Sequence, residues 1–287
     1  SEHEVVAVLT RPDAKKGRGR TLHPSPVKAL AQEHGIEVLT PEKLKGNEKI
    51  KEKLEALAPD AIPVVAYGNL IPEDFLSIPT LGWINLHFSL LPQWRGAAPV
   101  QRALMAGDRV VGASTFVLDQ GMDTGPVVGT LTDEVSEEDT ARTVLDRLAH
   151  TGAPLLAESL LGVASGAVHP EPQRGEASAA PKLTGPDARI TWSHPAVVVA
   201  HHVRGVTPEP GAWTEFDGQR VKVERVVPAP QVTGITPGHV EIRDRQVFAG
   251  TGSYAVELTR VQPAGKKYMA ALDWARGKQH MEQVAFV

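Results

Sequence analysis

The sequence predicts an α/β protein: an open, mostly parallel, Rossmann-like sheet followed by a small all-β domain of the OB-like barrel type. Up to about residue 160, short apolar runs alternate with amphipathic helical patterns, as in sheets built from strand–helix–strand units. Several of these runs are apolar on both faces, which is typical of strands covered by helices on both sides. After residue 188 the pattern changes to short strands separated by tight turns.

Runs rich in β-branched and apolar residues predict the strands of the first part, at 5–10, 36–40, 61–68, 82–88 and 112–119. Helical patterns lie between and after them, at 26–34, 47–57, 97–106 and from about 136 to 162. Ser25 and Pro26 predict a helix start, because serine caps free backbone N–H groups and proline fits the first turn. Ser136 predicts the start of the last helix, since Ser-Glu-Glu-Asp has the spacing of a capping box.

A stretch rich in Pro, Gly, Ala and Ser predicts a linker at 165–188, between domains at 1–164 and 189–287. The second domain is predicted to begin with a helix at 195–204. Short strands are predicted to follow it, at 212–216, 220–227, 239–243, 246–250 and 254–262. Small barrels of this kind often bind nucleic acid, but a fold by itself does not establish a function.

Composition excludes several kinds of chemistry. The 287 residues include no cysteine, so a disulfide framework, a thiolate nucleophile and cysteine-bound metals are excluded. No HExxH motif or tight His/Asp cluster is present, and we expect no metal. The net charge is −4, which does not by itself indicate a nucleic-acid-binding protein.

The amino-terminal segment SEHEVVAVLT lacks the basic-then-apolar form of a secretory signal. No apolar run reaches the roughly 20 residues that are needed to span a bilayer. We therefore expect a cytoplasmic location without membrane contact.

Two polar residues interrupt the predicted strand 82–88. Alternate residues of a strand share a face, so Asn85 and His87 project side by side. At the carboxyl end of a parallel strand they would lie where open α/β sheets bind ligands. An amide N–H and an imidazole aimed at one point can stabilise an oxyanion. The alternative is structural: an asparagine that caps a turn and a buried histidine with satisfied hydrogen bonds.

The loop DQGMDTGPV, residues 119–127, follows the next predicted strand. It brings Asp119 and Asp123 to the ends of neighbouring strands, where a carboxylate could orient His87. Asp-Thr-Gly also occurs in aspartic proteases. Those enzymes need two such loops with paired carboxylates, whereas this chain has one loop in an α/β domain.

The segment INLHFSLLPQWRGAAPVQRAL, together with DQGMDTGP, closely resembles the formyltransferase family that uses 10-formyltetrahydrofolate. Further similarity, to the branch of the family that acts on tRNA, lies in VVAYG, TRPDAKKGRGRTLHPSPVK, APKLTGPDARITW and VRGVTPEPGAW. The resemblance covers residues 5 to about 278, with its motifs in the same order as in the family. It implies formyl transfer from 10-formyltetrahydrofolate to the amino group of methionyl-initiator-tRNA, an early step in translation.

The resemblance also implies roles for particular residues. Asn85, His87 and Asp123 match the family's catalytic residues. The positions that match its folate-contacting segments are Ser89, Leu90, Leu91, Pro92, Tyr67 and Gly68. Leu90 and Leu91 also fit an ordinary apolar core, and the two interpretations are compatible because ligand pockets are largely apolar.

Basic residues are concentrated between residues 11 and 28. The family resemblance implies that this insert grips the acceptor stem of the tRNA through Lys15, Lys16, Arg18 and Arg20. Lys182, in the linker, is a further candidate for the same stem. Without the resemblance, a solvated basic loop would be the simpler interpretation. We expect a monomer.

One departure from the family is clear, because its members have a strand, a Gly-Thr-Pro turn and a helix before the segment that matches HEVVAVLTRPD. From this we expect a chain that lacks those elements, either truncated or recorded in part. Three other functions stay open at this stage: formyl transfer to phosphoribosyl-glycinamide or to an amino-sugar nucleotide, hydrolysis that releases formate, and RNA binding by a chain with an inactive α/β half.

Overall fold

The computed structural model describes residues 3–16, 21–278 and 285–287. The chain divides into two compact units that cut across the predicted domains. The first unit contains residues 1–87, 114–130 and 152–175; the second contains 88–113, 131–151 and 176–287.

Strands and helices alternate in the amino-terminal part, and this confirms the predicted α/β class. Its strands are β1 (Val8–Leu9), β2 (Ala14–Lys16), β3 (Thr21–His23), β4 (Val38–Leu39), β5 (Ile62–Val65), β6 (Trp83–His87), β7 (Val110–Val117) and β8 (Val127–Glu134). Its helices are α1 (Pro26–Glu33), α2 (Glu48–Leu57), α3 (Glu73–Leu76), α4 (Pro99–Ala106) and α5 (Ala141–Ala164).

The sheet that carries the candidate site is mixed. Its strands lie in the order β5, β6, β7, β8. β5 runs parallel to β6, whereas β7 runs antiparallel to β6. The mostly parallel sheet expected from the sequence is therefore interrupted at β7, because a run that is apolar on both faces indicates burial and not strand direction. β1 and β4 form a separate parallel pair, and β2 and β3 form a hairpin.

Helix α5 begins later than the capping-box spacing predicts. Residues 136–139 form a turn, in which the Ser136 N–H donates to Asp139 Oδ2 at 2.9 Å, and the helix starts at Ala141. The predicted start at Ser136 is wrong because the Asp139 carboxylate closes this turn instead of capping a helix. Helices α1, α2 and α4 lie within two residues of their predicted bounds, whereas α3 was not predicted.

The carboxyl-terminal part forms one antiparallel sheet in the second unit. Its elements are α6 (Ala196–Gly205), β9 (Trp213–Phe216), β10 (Gln219–Ala229), β11 (Val240–Arg243), β12 (Gln246–Ala249), β13 (Ala255–Pro263), β14 (Met269–Ala270) and α7 (Ala271–Arg276). The strand order is β11, β12, β13, β10, β9, with β14 paired to β13. The five strands and the helix predicted from the sequence are confirmed, while β14 and α7 were not predicted. Stacked aromatic rings of Trp192, Trp274 and Phe286 lie in its core.

Candidate active site

Strand β6 is held in place at its start and along one face. The indole N–H of Trp83 donates to the carbonyl oxygen of Phe75 at 2.8 Å, with both groups buried. Leu86 packs against α5 so closely that a Cβ on Gly152 would lie 2.9 Å from its side chain. Because alternate residues of a strand point to opposite faces, this packing leaves Asn85 and His87 on the other face.

Asn85 and His87 lie next to the same aromatic ring on that face. Asn85 is directly opposite Phe116 of β7, and His87 is opposite Ser114, two residues away. The rings of His87 and Phe116 meet edge-on, with centroids 6.3 Å apart and an angle of 88°. The buried phenyl ring therefore limits the orientations open to the imidazole, of which only 7% is exposed.

The structure brings Asp123 to His87. Their closest atoms, Asp123 Oδ2 and His87 Nδ1, are 3.7 Å apart, and the aspartate side chain is 13% exposed. The separation is longer than a hydrogen bond of about 3 Å, but it suits an ion pair when the imidazole is protonated. The imidazole thus has a carboxylate beside one nitrogen, as a base and its orienting partner require.

The loop between β7 and β8 must turn back along the sheet to bring Asp123 to His87. Val117, at the end of β7, pairs with Ile84, which lies three residues before His87 on β6. At roughly 3.3 Å per residue, the chain leaves β7 about 10 Å from His87. Asp123 has a positive φ of 52°, a left-handed conformation that aspartate tolerates better than most residues.

Several contacts fix the returning loop. The Asp119 carboxylate accepts hydrogen bonds from the Gly121 N–H at 3.0 Å and from the Thr124 hydroxyl at 2.7 Å. Gly125 lies so close to β7 that a Cβ would be 1.8 Å from the Val117 carbonyl oxygen, so only glycine fits without movement. Asp119 therefore shapes the loop and lies on the exposed side of it, whereas Asp123 faces His87.

The segment after His87 forms a tight turn in the second unit. The Ser89 hydroxyl donates to the Gln93 carbonyl oxygen at 2.6 Å, and the Gln93 N–H donates to the Leu90 carbonyl oxygen at 3.0 Å. Ser89 and Pro92 are buried, while Leu90 and Leu91 are half-buried. Leu90 packs on the backbone of β7, where a Cβ on Gly112 would lie 2.5 Å from its side chain. Leu90 thus has the core role that its apolar character allowed.

Tyr67 and Gly68 follow β5 in the first unit. Tyr67 packs against a cluster of buried apolar residues that includes Val64, Phe75 and Trp83. Burial raises the pKa of its phenol, an effect that the Asn69 side chain opposes. Gly68 is exposed and has a φ of 78°, which favours glycine.

The basic insert contains the β2–β3 hairpin. Lys15 is exposed and pairs with Leu22, and the backbone of Lys16 pairs with Thr21. Arg18 and Arg20 lie outside the described residues. The acid of this segment, Asp13, forms an ion pair with Lys28 at 2.8 Å, so its charge is matched at the base of the hairpin.

Lys182 is exposed in the second unit, and the residues just before it are held by backbone contacts. The guanidinium of Arg102 donates to the Pro181 carbonyl oxygen at 3.2 Å, and Ala179 forms a bridge with Arg95. Within the described residues, no group of three or more histidine, aspartate and glutamate side chains is arranged to hold a metal. No helix in the same part of the chain is both long and apolar enough to cross a bilayer.

Comparison with known proteins decides the family. A profile described as formyl transferase matches residues 1–160, and one for the formyl transferase carboxyl-terminal domain matches 182–279. A methionyl-tRNA formyltransferase from Arthrobacter sp. (strain FB24) is 55% identical over 283 residues, which cover 99% of this chain and 92% of the relative. The chain belongs to the methionyl-tRNA formyltransferase family. It is therefore a formyl-transferring enzyme.

Two solved structures share the fold of this formyltransferase. The methionyl-tRNA formyltransferase from Clostridium thermocellum has a TM-score of 0.55 at 17% identity, covering 80% of this chain and 91% of its own. HypX from Aquifex aeolicus, solved in complex with tetrahydrofolic acid, has a TM-score of 0.65 at 19% identity, covering 95% of this chain and 47% of its own. At these identities the similarity supports the fold and not the roles of individual residues.

Sequence reasoning missed one residue that the structure places at this site. The side-chain amide of Gln173 donates to the carbonyl oxygens of Asp123, at 2.9 Å, and of Gly125, at 2.8 Å. Gln173 lies in the segment that the sequence predicted to be a linker, and nothing in its local pattern indicates a partner 50 residues away.

Proposed function

We propose that this formyltransferase transfers the formyl group of 10-formyltetrahydrofolate to the amino group of methionyl-initiator-tRNA, giving N-formylmethionyl-tRNA. The observation that carries the proposal is the convergence of Asn85, His87 and Asp123 at the end of β6. The high identity to a relative named for methionyl-tRNA supports the choice of acceptor.

The chemistry of the acceptor suits these side chains. An α-amine has a pKa near 8, so a useful neutral fraction exists at pH 7 to attack the formyl carbon. The new bond joins this carbon to the methionine nitrogen, and the carbonyl oxygen becomes negative. The amide of Asn85 and the protonated imidazole of His87 donate hydrogen bonds to that oxygen. Preorganised donors of this kind stabilise a developing charge because they need no rearrangement during the reaction.

Asp123 has two roles in this scheme. Its carboxylate holds the imidazolium of His87 and assists removal of the proton from the attacking nitrogen. The bond from the formyl carbon to the folate nitrogen then breaks, and that nitrogen takes up the proton. The separation of 3.7 Å shortens when the reacting group binds, as contacts between a catalytic group and its partner commonly do.

Two segments are proposed to contact the folate donor. The turn Ser89, Leu90, Leu91 and Pro92 supplies apolar side chains and backbone polar groups directly after β6. Tyr67 and Gly68 supply a half-buried ring and an exposed backbone after β5. Apolar walls with a few polar groups are typical of pockets for small aromatic ligands.

The tRNA is proposed to bind through the basic insert and Lys182 at the acceptor stem. The family matches at 1–160 and 182–279 support domains at 1–164 and 189–287 joined by the linker 165–188. We further infer a cytoplasmic enzyme, because its proposed acceptor takes part in translation. We also propose a monomer: Asn85, His87 and Asp123 all come from one chain, so the proposed reaction needs no second copy.

Removing the positive charges of the insert should weaken tRNA binding. In a variant with Lys15→Gln, Lys16→Gln, Arg18→Gln and Arg20→Gln, we expect the slope of log affinity against log salt to decrease in magnitude by roughly 3, since each phosphate contact contributes about 0.7 to 0.9. Affinity is measured by filter binding of charged initiator tRNA at several salt concentrations.

A matched control removes the same charge elsewhere. The variant Lys43→Gln, Lys45→Gln, Lys49→Gln and Lys53→Gln neutralises four lysines in and near α2, so its net charge equals that of the insert variant. Its salt slope should stay close to the wild-type value. Equal salt slopes for the wild type and the insert variant would show that the insert does not contact the phosphates of the tRNA.

A further inference from the structure

The chain after α5 returns to the loop that carries Asp123. Val127, at the start of β8, exchanges two backbone hydrogen bonds with Glu171, each 2.8 Å long. This pairing places Gln173, two residues further on, beside the loop between β7 and β8. Gln173 is half-buried there, while its neighbours Pro172 and Arg174 are exposed.

The amide of Gln173 is matched to two backbone acceptors. Its nitrogen lies 2.9 Å from the carbonyl oxygen of Asp123 and 2.8 Å from that of Gly125. An amide nitrogen carries two hydrogens, one for each acceptor. The opposite orientation would set the amide oxygen against two carbonyl oxygens, so the network determines which way the group points.

These hydrogen bonds hold the part of the loop that orients the Asp123 carboxylate toward His87. Asp123 has a positive φ, and its carboxylate reaches His87 only because the loop turns back along the sheet. Fixing the carbonyl oxygens of residues 123 and 125 fixes the peptide planes that follow Asp123 and Gly125. The direction of the Asp123 side chain follows from that backbone, and a shift of about 1 Å at a catalytic group costs on the order of a hundredfold in rate.

We infer that Gln173 is a positioning residue that sets the distance and direction of the Asp123 carboxylate relative to His87. This inference rests on the proposed function, because it assigns Gln173 an effect on the reaction that passes through Asp123. Gln173 itself touches neither substrate nor reacting atoms in this scheme. Its contribution is to the geometry of the site.

Replacing Gln173 by methionine keeps the length of the side chain and removes both donors. For Gln173→Met, we expect kcat to fall roughly 10- to 100-fold, with KM for either substrate changed less than about threefold. The control is Gln246→Met, which removes an amide that donates to Glu257 at 2.8 Å in the carboxyl-terminal sheet. The control should keep the wild-type kcat and KM.

A double-mutant cycle separates positioning from a general structural effect. If Gln173 acts through Asp123, adding Gln173→Met to Asp123→Asn should change kcat by less than about twofold, although each single variant is slow. A full additional loss in the double variant would overturn the inference, and so would a near-normal kcat for Gln173→Met alone. A near-normal kcat for Asp123→Asn would instead contradict the proposed function.

Folding of the variants is checked by circular dichroism before the rates are compared. If Gln173→Met does not fold, Gln173→Glu replaces it, because glutamate keeps the shape and polarity but has no amide hydrogens. The same criteria then decide the outcome. A near-normal kcat for Gln173→Glu would overturn the inference, since a carboxylate cannot donate to either carbonyl oxygen.

Discussion

Replacing Asn85 by alanine should lower the single-turnover rate of formyl transfer by about 10²- to 10³-fold. This is the loss usually seen when one donor to an oxyanion is removed. Asn85 is half-buried on β6, between β5 and β7, and the backbone pairing of the strand does not depend on its side chain. We therefore expect the variant to fold and to bind both substrates, with the loss confined to the chemical step. Rapid-quench transfer from a preformed ternary complex measures it.

The matched control is the same substitution at Asn47. The Asn47 side chain accepts from the Ile50 N–H at 3.3 Å and caps α2. Asn47→Ala should cost about 1 kcal/mol of stability, as lost helix caps do, and leave the rate unchanged. A rate for Asn85→Ala within threefold of the wild type would show that Asn85 is not a donor to the oxyanion.

Replacing Asp139 by alanine should cost about 3 kcal/mol of stability, the lower end of what breaking a buried ion pair costs. Asp139 is only 6% exposed, and Arg147 donates to both of its carboxylate oxygens, at 2.9 and 3.0 Å. The Ser136 N–H and the Thr143 hydroxyl also donate to it. We expect the lower end of this range of costs because Arg147 is 37% exposed and keeps its ion pair with Asp133 in the variant. Urea unfolding measures the loss.

The contribution of Asp139 should depend on pH in a defined direction. Burial acts to raise the pKa of this carboxyl, but the hydrogen bonds from Arg147, Ser136 and Thr143 outweigh it and hold the pKa below the ordinary 3.8. A pKa depressed in the folded state contributes stability above about pH 4, and that stability is lost as the pH falls further. The difference between the wild type and Asp139→Ala should therefore be largest near neutral pH and shrink in acid.

Asp146 provides the control for this prediction. It pairs with Arg142 at 2.7 Å on the surface of α5, where both side chains are more than half exposed. Exposed pairs of this kind contribute about 0.5 kcal/mol or less. Asp146→Ala should thus be close to the wild type. Two results would contradict the role given to Asp139. One is an equal loss of stability in the two variants, and the other is a stability difference between the wild type and Asp139→Ala that grows as the pH falls.

The polar face of β6 was predictable from the sequence, while the means of bringing Asp123 to it was not. Alternation along a strand places Asn85 and His87 together whatever the fold around them. The direction of β7 has no such signature. Its antiparallel course makes the position of Asp123 depend on the returning loop, and so on contacts such as the one between Asp119 and Thr124. Those contacts are properties of the folded loop.

Two further features, β8 and Gln173, were missed because their local sequence signals are weak. β8 was missed because its residues are only partly buried, so the apolar signal is weak next to that of the neighbouring strands. Gln173 was missed because it lies in a segment rich in proline and glycine, where local composition indicates only a linker. Its hydrogen bonds to Asp123 and Gly125 are long-range contacts, which form only when the segment after α5 folds back beside β8.

The most direct measurement is single-turnover formyl transfer by this chain, with 10-formyltetrahydrofolate as donor. The acceptors compared are methionyl-initiator-tRNA, the same tRNA uncharged, and an amino-sugar nucleotide. We predict transfer to the charged tRNA alone, because the proposed site needs both a free α-amine and the tRNA that carries it. Transfer to the amino-sugar nucleotide, or none to the charged tRNA by a chain that binds both tRNA and folate, would contradict the proposal.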